Sequence, residues 1–476
     1  MKKRTVWLII PMLCILNFPL PGRTAEPPGS GRAATNTAPP AVDWSAIATL
    51  DLDAAITIAL SGNPSLKAAM ARVQQAKALV DQARSTYWPQ LDAAGSGSRV
   101  KLSENAYQEN LATARFFNPS TTSITDPEDY YNASLTAAWT LFDGFARKFR
   151  NAAARYGEAS SAAALKDTQR LLISAVASAY FSAQLAIENI AIARADEAFN
   201  KRQLTDAEAR QRVGTGALSD VLNFQVRANQ AKTVRINQEY RYEIALYGLA
   251  ALLGIPQSHM PGHVRLAPLL PESSGELAIP QVEDLIADAM DMRPDIQQTR
   301  FLIKQSDAQI DVARSGYYPS VVLSGSLDGQ RTANARFGED DFGNTLQVGV
   351  TYNLFSGGYT RAKVREASHR RIELEKQLED LTLSTAANIR SAATLVETAQ
   401  AQVVLQRDNL TLVRRTRDLV EKEYNAGQAS LVRLNEAQRD LTAAQSNLAL
   451  ALVSLRQAWM ELKTRTGSIL ATYGAP

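Results

Sequence analysis

The side chains in this sequence that could hold a metal ion are its three histidines. His259 and His263 are four positions apart, the spacing that places two imidazoles on one face of a helix for a zinc ion. Pro261 and Gly262 lie between them and would break such a helix, so we interpret the pair as part of a surface loop. His369 stands alone in a polar stretch. These residues predict no metal site and no cofactor.

Motifs that carry catalysis are not found in the sequence. It has no glycine-rich phosphate loop followed by lysine, no Gly-x-Ser-x-Gly turn and no acid pair in a predicted pocket. The single cysteine, Cys14, lies in an apolar run, and Pro11-Met12-Leu13 before it lacks the small residues that precede a lipid-modified cysteine. We therefore predict that the chain is not an enzyme and that a partner supplies the energy for its work.

The first 25 residues predict a secretory signal peptide. Lys2-Lys3-Arg4 precedes an apolar run from Val6 to Leu16, and cleavage is expected after Ala25. Loss of residues 1–25 removes four positive charges and takes the formal net charge from +3 to about −1. No nucleic-acid-binding surface is expected from that balance. Beyond the signal no run of 18 apolar residues occurs, so we expect no transmembrane helix, and any membrane span must use strands.

The elements of the chain are organised around a strand that leads into a very long helix. Apolar residues alternate with polar ones from about 345 to 355, as in a strand with one apolar face. These residues are Leu346, Val348, Val350, Tyr352 and Leu354. Gly357-Gly358 ends the alternation. From Arg361 to Tyr424 there is no proline or glycine, which predicts one helix roughly 100 Å long.

The same pattern occurs twice. With an offset of 213 residues, Gly214 falls on Gly427 and Gly254 on Gly467, and with an offset of 230, Pro64 falls on Pro294. We predict a first repeat over 51–254, a linker over 255–281 and a second repeat over 282–467. A lead-in over 26–50 and a tail over 468–476 flank them. Strands are expected at about 90–102, 131–141, 320–328 and 345–355, and residues 103–127 read as an exposed hairpin loop.

The long helices carry a heptad seam. In the first half it comprises Leu172, Val176, Ala179, Ala183, Ala186, Ile190 and Ala193, and in the second half Ile389, Ala392, Val396, Ala399 and Val403. The helix that returns after each turn is about half as long as the outgoing helix. Together with the helix before the strands it has about the same length, so we expect two short helices stacked end to end along each long one.

Four strands of bilayer-spanning length cannot close a barrel. Two copies would give eight strands and no useful bore, whereas three copies would give twelve strands around a passage. Tyr131 and Trp139 would then lie near the two membrane interfaces as girdle aromatics. A soluble, half-buried strand would show the same alternation. The fold expected is a membrane α+β protein in which a trimeric 12-stranded β-barrel, four strands per subunit, continues into a long periplasmic α-helical barrel with a two-fold internal repeat.

Several short motifs at duplicated spacing make the chain resemble the TolC family of outer-membrane efflux and secretion ducts. They are Asn63-Pro64, Tyr87-Trp88-Pro89 with Tyr317-Tyr318-Pro319, Phe142-Asp143-Gly144 with Phe355-Ser356-Gly357-Gly358, and Tyr424-Asn425-Ala426-Gly427. The resemblance covers nearly all of the chain after the signal peptide. It implies a homotrimer in outer-membrane lipid that spans into the periplasm and docks a periplasmic adaptor protein and an inner-membrane pump.

The resemblance also implies roles for residues in the two helical turns. Asp220 and Glu436 match positions where the family places acids that close or ring the periplasmic tip, and Arg433 departs from that pattern. Arg433 could instead form a tie to Asp220; otherwise these charges are simply solvated. Adaptor docking is expected at the tip turns, which contain Gly214, Gly216, Gly427, Leu218 and Leu431. Tyr352 is expected to join Tyr131 and Trp139 among the girdle aromatics.

Three readings remain open at this point. The first is a passive outer-membrane conduit for drugs and small molecules in a tripartite export system. The second is the exit duct of a type I protein-secretion system, which the sequence does not separate from the first. The third, of another class, is a periplasmic coiled-coil scaffold without a pore, in which the alternating segments are soluble strands.

Overall fold

The computed structural model of the protein describes residue 44 and residues 47–474. The predicted signal peptide, Cys14 and most of the lead-in lie outside these residues. The helices are α1 (Leu52–Gly62), α2 (Pro64–Ser85), α3 (Glu104–Phe117), α4 (Ala146–Arg212), α5 (Leu218–Leu252), α6 (Val282–Met292), α7 (Pro294–Arg314), α8 (Tyr359–Asn425), α9 (Leu431–Thr466) and α10 (Ile469–Tyr473). The strands are β1 (Thr49–Leu50), β2 (Gln90–Val100), β3 (Glu128–Phe142), β4 (Arg265–Leu266), β5 (Ser320–Thr332) and β6 (Phe342–Thr351).

The two long helices, α4 and α8, form as the sequence predicts. Each has 67 residues, which corresponds to roughly 100 Å. Each starts directly after a left-handed residue, Phe145 with φ 68° and Gly358 with φ 83°, so the chain bends sharply from strand into helix. Contrary to expectation, α4 contains an 18-residue window apolar enough to cross a membrane. Half of that window is buried within the protein, as in a core helix.

The short helices are stacked end to end through two equivalent junctions. Where α5 ends and α2 begins, the Asn63 side chain donates a hydrogen bond to the Leu252 carbonyl over 2.8 Å. Where α9 ends and α7 begins, the Arg293 guanidinium donates to the Arg465 carbonyl over 2.9 Å. The second pair is displaced from the first by the two sequence offsets of the repeat. The structure thus confirms the expected stacking.

Packing sets the lateral order of the helices within one subunit. Helix α4 packs against α2 and α5 on one side and against α7 and α9 on the other, and α8 packs against α7 and α9. The order is therefore the α2/α5 stack, α4, the α7/α9 stack, and α8. The α2/α5 stack and α8 are the two lateral edges of the layer.

The predicted heptad seam forms the core between the helices. In the second half, Ile389, Val396 and Val403 of α8 are buried against Leu455 and Leu462 of α9. In the first half, six of the seven predicted seam positions are buried and Ala179 is half-buried. Small alanines on the seam let the helix axes approach closely.

The four long strands form one antiparallel sheet in the order β2-β3-β5-β6. β3 starts at Glu128, earlier than predicted, and β6 ends at Thr351 rather than near 355. Thr351 pairs with Ser320, the first residue of β5, which follows Pro319. Because proline has no N–H to extend the ladder, β6 loses its partner there. Tyr352, predicted to lie in the strand, therefore lies one residue beyond it.

The segment between β2 and β3 connects two antiparallel strands, as expected for a hairpin loop, but it contains a helix that was not predicted. Helix α3 occupies 14 of its residues. Ser103 caps it by accepting a hydrogen bond from the Ala106 amide, Glu104 lies in its first turn, and the chain turns at Asn118. A shorter connection links β5 to β6. In the middle of the long helices, β1 and β4 form a two-stranded parallel sheet.

Candidate functional site

The sheet has one apolar and one largely polar face across all four strands. Residues in register across the strands share a face, and one face collects the large apolar side chains. These are Leu91 of β2, Leu135 and Trp139 of β3, Val321, Leu323 and Leu327 of β5, and Leu346, Val348 and Val350 of β6. Most of them are exposed to solvent in the single chain. A sheet of this kind can put one face against lipid.

The opposite face carries short polar side chains suited to a water-filled passage. They are Asp92, Ser96 and Ser98 of β2, Asn132, Ser134 and Thr136 of β3, Ser324, Ser326, Asp328 and Gln330 of β5, and Thr345 and Gln347 of β6. Serine, threonine and amide side chains can exchange hydrogen bonds with moving water. If the apolar face meets lipid, this face lines an aqueous lumen.

The apolar face between its two large aromatic side chains is somewhat shorter than the apolar band of outer-membrane barrels, which is about 25 Å. Tyr131 and Trp139 are eight residues apart on β3, which is about 26 Å along the strand and about 20 Å across a bilayer at the usual tilt. The Trp139 indole N–H donates to the Tyr87 carbonyl over 3.0 Å, at the end of the sheet next to the helices. Charged Arg99 and Asp129 form an ion pair at the opposite, loop end.

Further aromatic side chains surround the junction of sheet and helices. They are Tyr87, Trp88, Tyr317, Tyr318, Tyr352 and Phe355, and all are exposed, Trp88 to 75%. Amphipathic rings of this kind favour a membrane–water interface. From the sequence, the two aromatic-proline motifs were interpreted only as signs of the internal repeat and of the family resemblance. Their position, just before strands of membrane-spanning length, was the signal that could have identified them as part of the girdle.

The sheet has two open edges. Among the residues that the structure describes, β2 and β6 each pair on one side only, so a row of backbone N–H and C=O groups is unpaired along both. Inside a membrane no water is present to form hydrogen bonds with these groups, so a sheet with unpaired edges is unstable there. The edges must be satisfied by pairing with other strands, which in a closed barrel come from further copies.

The helical layer has matching open edges. Exposed apolar residues run along α5, on the side away from its buried Phe224 and Ala228. They are Leu218, Leu222, Val226, Ile236, Tyr240, Ile244 and Tyr247. On the other edge, α8 exposes Leu405, Leu412 and Leu419, one heptad apart and off its buried seam. We call these the α5 stripe and the α8 stripe; both are of a type that packs against another helix.

The two helical turns are built alike around Gly214 and Gly427. Their φ angles are 81° and 75°, in the left-handed region, and a Cβ would meet nothing within 4 Å at either one. Backbone N–H groups of Thr215 and Gly216 donate to the Arg210 carbonyl, and those of Gln428 and Ala429 donate in the same way to the Glu423 carbonyl. The turns therefore need glycine for its backbone conformation rather than for space.

A shared hydrophobic cluster binds the two hairpins together just behind these turns. Phe199 and Phe224 of the first hairpin are buried with Val420 and Leu434 of the second. Leu431 packs at the margin of the cluster, whereas Leu218 is exposed. Two polar contacts join the hairpins beside it, from Asn435 to Asn223 over 3.0 Å and from Arg210 to Asn425 over 3.1 Å.

Of the predicted gate residues, Asp220 and Arg433 lie on the first turns of the return helices, and Glu436 follows in the second turn of α9. Glu436 is exposed and Asp220 is half-buried. Arg433 pairs with Glu423 of its own hairpin over 3.2 Å, so the tie to Asp220 is not formed within the described part of the subunit. Desolvation first, and then the charge of Asp220, raise the pKa of the nearby Tyr424 hydroxyl. The negative charge of Asp220 therefore acts on Tyr424, which packs against the cluster behind the turns.

A chain of ion pairs along the α4–α5 hairpin was missed from sequence. Arg235 of α5 bonds Glu197 of α4 and Glu239 of its own helix, each over 2.6 Å, and Lys201 bonds Glu197 over 2.7 Å. Hydrogen bonds from Lys201 and then Arg235 hold the pKa of Glu197 below its ordinary value. The i, i+4 spacings were visible in the sequence, but the pairing between α4 and α5 required the structure.

The histidine pair lies in the linker as predicted, away from the helix tips. His259 lies beside the Tyr247 ring, and the His263 ring nitrogen Nε2 is 2.7 Å from the Trp44 carbonyl. Among the residues that the structure describes, no cluster of three or more metal-ligating side chains occurs.

Comparison with known proteins agrees with these features. A family model described as outer membrane efflux protein matches residues 55–255 and 285–468. The chain is 27% identical over 430 residues to the pyoverdine export outer membrane protein OpmQ of Pseudomonas aeruginosa, covering 88% of this chain and 84% of that protein. It is 27% identical over 353 residues to the alkaline protease secretion protein AprF of the same species, covering 71% and 70%.

A solved structure has the same fold. The outer membrane protein VceC of Vibrio cholerae superposes on the chain with a TM-score of 0.70 at 20% identity, covering 87% of this chain and 96% of that one.

Proposed function

The chain belongs to the outer membrane efflux protein family, and from this premise we propose that three copies form a passive outer-membrane duct for small molecules in a tripartite export system. The observation that carries the proposal is the sheet with one apolar face, one polar face and two unpaired edges. Such a sheet is stable in lipid only when it closes on further copies and encloses water.

Three copies satisfy both layers of the subunit at once. Twelve strands enclose a passage, and β6 of one copy pairs with β2 of the next. In the helical layer the same neighbours bring the α8 stripe of one copy against the α5 stripe of the next. The contact joins two different surfaces and closes by rotation, as in other cyclic oligomers.

Small molecules are the favoured cargo because OpmQ, named for pyoverdine export, matches the larger part of this chain. The similarity to AprF, named for alkaline protease secretion, supports the second candidate, an exit duct for a secreted protein. A strain lacking the gene separates the two. Accumulation of dyes and antibiotics with an unchanged set of secreted proteins supports the first; loss of one secreted protein without drug sensitivity supports the second.

We assign docking of a periplasmic adaptor to the two helical turns, with an inner-membrane pump beyond it. The turns expose backbone around Gly214, Gly216 and Gly427, together with the apolar side chain of Leu218. These features supply hydrogen-bonding groups and an apolar anchor in one place. No energy source is needed within the duct itself.

We further propose that Asp220, Arg433 and Glu436 govern the resting width of the tip. In Asp220→Arg the single-channel conductance in planar bilayers should change, because the charge lies beside the cluster that joins the hairpins. Asp206→Arg, an exposed acid on α4, serves as the control. Equal conductance of Asp220→Arg and the unaltered protein would remove the gate assignment.

The duct itself is tested with the purified full chain in detergent and then in lipid. We expect a mass of three subunits, outer-membrane fractionation, and stepwise conductance in planar bilayers. A monomer that stays soluble without detergent and conducts nothing would favour the periplasmic scaffold instead.

A further inference from the structure

A cavity of about 470 Å³ lies midway along the helices, away from both the sheet and the tip. Its walls come from α4, from α9 and from the linker segment 268–276, which we call the strap. The volume is within the range of sites for small organic molecules. Neither the lumen nor the tip accounts for it.

Side chains of α8 and α9 hold the strap firmly over the cavity. Arg456 donates to the Leu270 carbonyl over 2.7 Å, and the Trp459 indole N–H donates to the Glu276 carbonyl over 2.8 Å. Gln400 donates to the same Glu276 carbonyl over 2.9 Å. Arg407 forms an ion pair with the buried Glu272. The cavity is therefore bounded by fixed backbone and is part of the fold.

The cavity wall is mostly apolar and partly aromatic. Phe181, Trp459 and Met460 contribute to it, and Tyr180 lies among them with its hydroxyl bonded to the Leu50 carbonyl over 3.1 Å. Burial raises the pKa of Tyr180 to about 12, which is typical of a side chain removed from water. Such walls favour the body of an apolar ligand.

One wall residue has an unused hydrogen-bond acceptor. Gln184 is 4% exposed, and its Nε2 is fixed by donating to the Ala267 carbonyl over 2.8 Å. Its Oε1 is buried and has no hydrogen-bond partner among the described residues. A buried acceptor without a partner costs stability, but its accessible surface is below 1 Å², so it is not open to a ligand in the cavity.

The wall also carries one uncompensated positive charge. The charge of Arg456 is balanced by Glu276 at 3.3 Å. Lys463, the other cation of the wall, has no carboxylate within 4.0 Å in the part of the chain that the structure describes. An anionic group on the ligand would complete the charge balance.

We propose that this cavity binds an amphipathic carboxylate whose apolar chain packs on Phe181 and Trp459 and whose carboxylate pairs with Lys463. The site is separate from the sheet and from the tip turns.

N-dodecanoylglycine is a suitable probe, since it has an acyl chain, an amide N–H and a carboxylate. Titrated into the full chain in lipid nanodiscs, it should bind saturably, with empty nanodiscs as the baseline. Uncharged N-dodecanoylethanolamine should bind at least tenfold more weakly. Lys463→Gln should lower the affinity for the acid about tenfold, whereas the matched Lys232→Gln on α5 should leave it unchanged.

The proposal is overturned if no saturable binding rises above empty nanodiscs, if the charged and uncharged probes bind equally, or if Lys463→Gln binds as the unaltered protein does. None of these outcomes concerns the conductance, so none of them contradicts the proposed duct.

Discussion

Asp295 shows how much a single side chain can support in this molecule. It accepts hydrogen bonds from the Arg293 guanidinium, over 3.0 Å to one oxygen, and lies 4.0 Å from the largely buried Arg170. Both arginines also bond backbone carbonyls of the last turn of α9, at Thr464 and Arg465. The carboxylate therefore neutralises Arg293 at the junction where α9, α7 and α4 meet, and it shares Arg170 with Asp167, which lies closer at 2.7 Å.

We expect Asp295→Asn to destabilise the subunit by about 3 kcal/mol, because it leaves the buried Arg293 without its counter-charge. Arg170 keeps Asp167 at 2.7 Å. The measurement is thermal unfolding of the trimer in detergent, followed by circular dichroism. Asp311→Asn removes an exposed partner of Arg314 and should cost less than about 1 kcal/mol. Equal losses in the two variants would show that the junction charge is unimportant.

The pH dependence of that difference follows from the same contacts. Burial raises the pKa of Asp295, but the hydrogen bond and charge of Arg293, together with the charge of Arg170, more than offset it and hold the pKa below its ordinary value. Because the folded-state pKa is depressed, the stabilisation is fully present above the unfolded value, about pH 4, and is lost as pH falls through the folded value. The gap in unfolding midpoint between the unaltered protein and Asp295→Asn should hold from pH 7 to about pH 4 and shrink below it.

At the scale of elements, the helix junctions are set by glycines that differ in kind. Gly254 has φ 74°, and a Cβ there would lie 2.7 Å from the Gly62 carbonyl oxygen at the junction of α5 with α1 and α2. Gly214 has a similar φ of 81° but open space around it. The first position is restricted by strain and by space, the second by strain alone.

We therefore expect Gly254→Ala to cost roughly 3 kcal/mol and Gly214→Ala only about 1 kcal/mol. Hydrogen exchange locates the two effects. Faster exchange should appear around the α5–α2 junction in Gly254→Ala and stay confined to the tip turn in Gly214→Ala. If the two variants lose the same stability, the close approach of the Gly62 carbonyl does not restrict position 254.

The sequence predicted the long elements well and the short ones less well, for physical reasons. The bounds of α8 followed from a stretch free of helix breakers, and the stacked junctions followed from length alone. The end of β6 depends on where its partner strand begins, which no local pattern contains. Helix α3 was missed because the turn signals around Asn118 outweighed the cap at Ser103. At the tip, residue types suggested an ion pair between Arg433 and Asp220. In the structure Arg433 pairs instead with Glu423 of its own hairpin.

At the scale of the whole molecule, the α8 stripe separates assembly from folding. Leu412 is 65% exposed in the single chain and makes no part of its core. In the trimer we propose, it would be buried against the α5 stripe of a neighbour. A charged side chain at position 412 should therefore leave the subunit folded and prevent it from associating with other copies.

Leu412→Asp should retain its helical circular dichroism and fail to form a three-subunit species in light scattering. Thr411→Asp places the same charge one position away, off both the seam and the stripe, and should assemble normally. If Leu412→Asp assembles as well as Thr411→Asp, α8 does not form the contact between copies.

The open strand edges have a consequence for heredity. A variant whose β6 edge is ruined still offers an intact β2 edge, so it can enter a ring and leave that ring unsealed. When normal and altered subunits are present in equal amounts, random mixing gives about one eighth of trimers with three normal subunits. Such an allele should behave as a dominant one, sensitising cells that also carry a good copy, whereas an allele that loses both edges should be recessive.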